Sequence, residues 1–148
     1  MKQITFLFLI LSTAVFSQTI DYNTKKGFAA NGYDVVAYFA NKAEEGDKTF
    51  QTTFDGVAYK FSSKAHLNLF LKQPEQYVPQ YGGYCAYAVA LKSDKVSINP
   101  KSYLIKNNKL YLFYNAWGTN TLKLWLEENQ NKIIETADKN WETIKLKK

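Results

Sequence analysis

The chain has 148 residues, a formal net charge of +6 and aromatic side chains at 16% of its positions. That length suits one domain plus a leader, and all 19 basic residues are lysine, with no arginine. Arginine makes the bidentate contacts that read guanine and clamp phosphate, so this basic chain reads as a solvated lysine surface, with no nucleic acid among its expected partners.

The leader comes first. Met1-Lys2-Gln3 is a short basic start, Ile4 to Phe16 is a nearly unbroken apolar run, and Val15 and Ser17 occupy the small-residue positions of a cleavage site. The pattern predicts a signal peptide over residues 1–17. The apolar run falls short of the roughly 20 residues a spanning helix needs, and no cysteine follows it to carry a lipid. The expectation is a periplasmic or secreted protein with no stable membrane anchor after cleavage. About 130 residues then remain, enough for one core.

Residues 18–31 are polar and are expected to be flexible and irregular. Asn31-Gly32 signals a turn. Tyr33 to Phe39 is apolar and β-rich, which predicts a short strand or a buried extended segment. Asn41 to Lys48 is a charged loop. Asp55-Gly56 between Thr49–Phe54 and Val57–Phe61 is a strong hairpin signal, with Val57, Tyr59 and Phe61 on one face. Ser62-Ser63 can cap a helix over Lys64–Lys72 with Leu67, Phe70 and Leu71 as its apolar face. Pro74 ends it, and Pro74 to Tyr77 predicts one further turn.

Pro79-Gln80-Tyr81-Gly82-Gly83-Tyr84-Cys85-Ala86-Tyr87-Ala88 is the most singular stretch, with the only cysteine, paired glycines and three tyrosines. The glycines permit a sharp bend, and Tyr84 to Leu91 is read as a helical turn. Val96 to Ile98 predicts a short strand and Asn99-Pro100 a turn. Asn107-Asn108 between Tyr103–Ile105 and Leu110–Tyr114 predicts a second hairpin. From about Thr119 to Ile144 the chain is read as helical, with a break near Asn129. Leu122, Leu126, Ile133, Ala137, Trp141 and Ile144 form its stripe, widened by Trp125 and Ile134. The fold class expected is α+β: a small antiparallel sheet of two hairpins, a short central helix, and a longer C-terminal helical segment packed on it.

Gly32-Tyr33-Asp34-Val35-Val36-Ala37-Tyr38-Phe39, then Tyr59-Lys60-Phe61, Phe70, Pro74-Glu75-Gln76-Tyr77 and Pro79 to Ala86 follow an order that resembles the YHS domain family. Lys109 to Asn115, Trp125 and Asn140-Trp141 extend the likeness to exported stand-alone members. The resemblance covers most of residues 32–142 and sets a YHS-like domain over 32–145. It implies handling of a soft metal, since YHS domains occur in copper-transporting ATPases and some phenol hydroxylases. Many members carry two cysteines; this chain matches only at Cys85.

Cu(I) and Zn(II) prefer thiolate and imidazole. The mature chain offers one of each, Cys85 and His66, and no methionine. The expected function is binding of copper first and zinc second at Cys85, with His66 as a possible second ligand and Asp34 as a weak third. The protein would then act as a carrier, buffer or accessory protein whose partner is a metal-handling protein or a second copy of itself. One bland alternative makes Cys85 a buried core residue. Two others give the chain different work: a metal-free module that binds a small ligand or protein in an aromatic pocket at Tyr81, Gly82, Gly83, Tyr84 and Tyr87, or a thiol redox protein with Cys85 activated at a helix N-terminus. No nucleophile, base and orienting group stand at a spacing that nominates an enzyme.

Overall fold

The computed structural model describes residues 19–147. The expected leader over residues 1–17 lies outside them.

Turn chemistry builds the strands. Four two-residue turns, Lys26-Gly27, Asp55-Gly56, Asn107-Asn108 and Trp117-Gly118, have both residues at positive φ, the conformation that matches the twist of paired strands. They join β1 (Thr24–Lys25) to β2 (Phe28–Ala29), β3 (Asp47–Phe54) to β4 (Val57–Phe61), β5 (Asn99–Lys106) to β6 (Lys109–Phe113), and β7 (Asn115–Ala116) to β8 (Thr119–Asn120). Helices α1 (Lys64–Lys72), α2 (Pro74–Tyr77), α3 (Ala86–Lys92), α4 (Thr121–Glu127) and α5 (Gln130–Ile144) complete an α+β fold.

The two expected hairpins form, but not in one antiparallel sheet. β1, β2, β4 and β3 make a four-stranded sheet in that order, while β5–β6 and β7–β8 are separate pairs. The β2–β4 pairing is parallel, with Phe28 opposite Ala58. It also corrects the reading of residues 18–31 as flexible: among the described ones, β1 and β2 are paired and Ile20 bridges Leu146.

β6 is the wall between two cores. Leu110 and Leu112 face the sheet and α1, while Tyr111 and Phe113 face Trp125, Ile133 and Ala137 of α4 and α5. A strand covered on both sides needs an apolar residue at every position, which explains the unbroken Leu110–Phe113 run.

Several local readings change. Val35 to Tyr38 is buried as expected, but Ala37–Ala40 forms a 3-10 turn in place of a strand. Asp34 drives this, because its Oδ1 accepts the amides of Val36 and Ala37 at 2.9 and 3.2 Å, and such local bonds compete with strand pairing. Val96–Ile98 is irregular, and Asn99-Pro100 lies inside β5 rather than in a turn. Leu71 and Leu126 point outward, at 56% and 55% exposure. The predicted helix over Lys64–Lys72 matches α1, where Ser63 Oγ accepts the His66 amide at 3.2 Å.

Candidate functional site

Tyr81, Gly82 and Gly83 all take left-handed backbone, with φ of 54, 60 and 78°. Three such residues in a row are cheap only where two are glycine. The bend delivers Cys85 to the position just before α3, where its N–H donates to the Val96 carbonyl at 2.9 Å.

The Cys85 side chain has no exposed surface. Its sulfur accepts the Tyr114 N–H at 3.3 Å and lies 3.3 Å from Thr121 Oγ1. The Thr121 hydroxyl donates to the Tyr114 carbonyl at 2.7 Å, so its proton is committed and the thiol is the donor to Thr121. The three residues close a small ring that joins α3, the end of β6 and α4.

His66 is engaged elsewhere. Its Nδ1 lies 2.6 Å from Asp34 Oδ2. A carboxylate only accepts, so Nδ1 carries the proton. The same Oδ2 accepts the Ser62 amide at 2.9 Å and the Ser62 hydroxyl at 2.8 Å. Together with Val36 and Ala37, five donors converge on one fully buried carboxylate. Asp34 therefore ties the 3-10 turn, the end of β4 and the first turn of α1 together.

This corrects the expected ligand set. Cys85, His66 and Asp34 do not assemble, and among the described residues no group of three or more His, Cys, Asp or Glu could hold a metal ion. A metal-binding cysteine must lose its proton and offer its sulfur; this one donates its proton to Thr121 inside a sealed core. Among the described residues these donors form no three-ligand site for copper or zinc. The same burial leaves no path for the thiol exchange a redox protein needs.

A cavity lies beside the glycine bend. It has a volume of about 740 Å³ and aromatic walls from Tyr22, Phe54, Tyr81 and Trp141. Four carboxylates line it (Asp55, Glu75, Asp138 and Glu142) against one lysine, Lys109. Two seams hold it. The N-terminal segment is fastened to the C-terminus by Asp21 N–H to the Lys145 carbonyl at 2.7 Å and Lys147 N–H to the Thr19 carbonyl at 3.1 Å. It is fastened to the bend by Asn23, whose N–H donates to the Gly82 carbonyl at 2.9 Å and whose Nδ2 donates to the Gly83 carbonyl at 3.0 Å. A Cβ at Gly82 would stand 2.7 Å from the Asp21 carbonyl oxygen and 3.0 Å from the Trp141 ring. Glycine is what lets the three meet.

The cleft tyrosines are neutral donors. Tyr81 donates to Asp138 Oδ1 at 2.8 Å, and Tyr22 donates to Asp55. Burial first, then the adjacent carboxylate, pushes both phenols well above their ordinary pKa. The charge of the cleft is therefore set by its carboxylates and two lysines: Lys109 on its wall, and Lys145, whose Nζ lies 2.5 Å from Glu142 Oε2.

Of the expected pocket residues, Tyr81 and Gly82 line this cleft. Gly83 is buried beside Pro79, and Tyr87 packs between the two cores. Tyr84 turns away to Asp21, 3.1 Å from its carboxylate; burial and that carboxylate push its pKa up to about 12. Tyr22, Asp55, Glu75, Asp138, Trp141 and Glu142 were not legible as site residues. Each acid is an ordinary surface charge in the sequence, and only the fold collects them.

Comparison of the chain with protein-family models, with curated proteins and with solved structures finds no match.

Proposed function

We propose that the protein is a binding module, on a YHS-like scaffold, that holds a small organic cation with an apolar body in the cleft between Tyr22, Tyr81 and Trp141. The observation that carries this reading is the sign of the cleft: four carboxylates against Lys109 and the Lys145 that pairs with Glu142, a net negative charge on a chain whose overall charge is +6. Aromatic faces attract a cation through their quadrupole, by about 0.5–2 kcal/mol per contact. Carboxylates at the same opening raise its local concentration. The volume lies within the range of small-molecule sites, about 300–1,000 Å³. The apolar walls take the body of the ligand and the rim takes its charge. With export of the chain after residue 17, the ligand would be met outside the cytoplasm.

The test is a titration followed by tryptophan fluorescence, with three probes of similar size: phenyltrimethylammonium, its uncharged isostere tert-butylbenzene, and benzenesulfonate. The ammonium should bind at least about tenfold more tightly than the isostere, the equivalent of about 1.4 kcal/mol. Benzenesulfonate should not bind. Equal affinity for the charged and uncharged probes would refute the reading.

A further inference from the structure

A second feature lies away from the cleft and does not depend on it. Trp117 is 96% exposed, the most exposed of the large apolar side chains among the described residues. It occupies the first position of the β7–β8 turn with φ of 51°. The equivalent positions of the other three turns hold Lys26, Asp55 and Asn107. Left-handed backbone is unfavourable for a bulky residue, and an exposed indole gains nothing from the fold. The ring is therefore placed against both local preference and hydration.

The sequence on either side of Trp117 is rich in lysine, with Lys95 paired to Asp21 and with Glu127 and Glu128 following. From Lys95 to Leu126 the chain has five lysines and no Asp or Glu. Two of them flank the hairpin and are exposed, Lys101 and Lys123. The Lys101 amide donates to Asn99 Oδ1 at 3.0 Å, and Asn99 Nδ2 donates to the Asn115 carbonyl of β7 at 3.1 Å. The Lys123 amide donates to Asn120 Oδ1 of β8 at 3.1 Å. Leu124 follows, 37% exposed.

We propose that the Trp117-Gly118 tip is a reversible docking point for the surface of an anionic lipid bilayer, with Trp117 entering the headgroup region and Lys101 and Lys123 meeting the lipid charge. Tryptophan favours that region because its ring is apolar and its N–H is polar, and lysines near an anionic leaflet add attraction that falls off within a Debye length. A lone projecting ring suits a soft interface better than a rigid partner, whose binding would call for a broad packed patch. Among the described residues no helix is long and apolar enough to cross a membrane.

The experiment is co-sedimentation with vesicles of phosphatidylglycerol in phosphatidylcholine, beside vesicles of phosphatidylcholine alone. The protein should pellet with the anionic vesicles, be released by salt, and stay in solution with the neutral ones. Trp117→Ala should lose vesicle binding while keeping the wild-type thermal midpoint, because the ring is not packed. Lys101→Gln and Lys123→Gln should each weaken binding roughly fivefold. No binding to anionic vesicles, or undiminished binding by Trp117→Ala, overturns the proposal. So does Trp117-dependent self-association in light scattering without vesicle binding, which would make the tip a protein interface.

Discussion

Tyr81 and Asp138 meet across 57 positions of sequence, the phenol donating to the carboxylate at 2.8 Å. The contact joins the glycine bend to α5 and leaves a full negative charge at the cleft. Tyr81→Phe removes the donor and keeps the ring. It should lower stability by about 1 kcal/mol or less, since Asp138 regains water, and leave cation binding within about twofold. A loss of binding as large as that of an Asp138 charge variant would mean that the phenol, and not the carboxylate, makes the site.

The buried phenols make the fold sensitive to alkali. Burial is the largest cause holding Tyr22, Tyr38, Tyr59, Tyr81 and Tyr111 above the ordinary tyrosine value, and Tyr84 is pushed up to about 12. Unfolded chains release phenolic protons from about pH 10, whereas the folded chain keeps these. Above that pH the folded state binds more protons, so stability falls as pH rises; below it the contribution is fully present. Urea midpoints should be flat from about pH 8 to 10 and then drop, with phenolate absorbance from these six appearing only as tertiary structure is lost. Ionisation of all eleven tyrosines near pH 10 in a folded protein would contradict this.

Asp34 and His66 form a pair of unequal weight. Asp34→Ala strands the buried amides of Val36, Ala37 and Ser62 and should cost about 3–5 kcal/mol. His66→Ala removes one of five donors from a side chain that is 27% exposed, and water can take its place; about 1 kcal/mol is expected. Chemical denaturation of both variants measures the ratio. Equal costs would show that His66, rather than the backbone amides, holds the carboxylate.

These residues also mark where sequence reasoning reached and where it stopped. The β3–β4 and β5–β6 hairpins were legible because Asp-Gly and Asn-Asn write left-handed turns into adjacent positions. Helix α1 was legible from Ser63 and its spacing. Of the short strand or buried extended segment expected over Tyr33–Phe39, the burial holds and the extended backbone does not, because a single side chain, Asp34, redirects two amides, which composition does not reveal. β1 and β2 were missed because β2 is held by parallel pairing to β4, across some 30 residues, and β1 in turn by β2. The bend at Gly82-Gly83 was found, and with it Tyr81. The rest of the cleft comes from four other segments whose acids had no local signature.

Cys85 should behave as a core residue. Alkylation under native conditions should be slow and become fast on unfolding. Cys85→Ala removes one buried heavy atom and the acceptor of the Tyr114 amide, should cost about 1–3 kcal/mol, and should leave cation binding unchanged. Rapid labelling of the folded protein would reopen its sulfur to chemistry.

Gly82 offers a test of how the cleft is assembled. Alanine there meets the Asp21 carbonyl at 2.7 Å in addition to the strain of its left-handed backbone, and both the stability and the cation affinity should fall. Gly56→Ala has left-handed backbone too, but nothing lies within 4 Å of its added carbon, so it should lose about 1–2 kcal/mol from backbone strain alone.

The most direct measurement is calorimetric titration of phenyltrimethylammonium into the wild-type protein, into Asp138→Asn, which keeps an acceptor for Tyr81 and removes only charge, and into Trp141→Ala. Saturable binding is predicted, weakened by salt, reduced roughly fivefold by the lost carboxylate and abolished by the lost indole. No saturable binding to the wild-type protein, or equal binding by all three, would contradict the account.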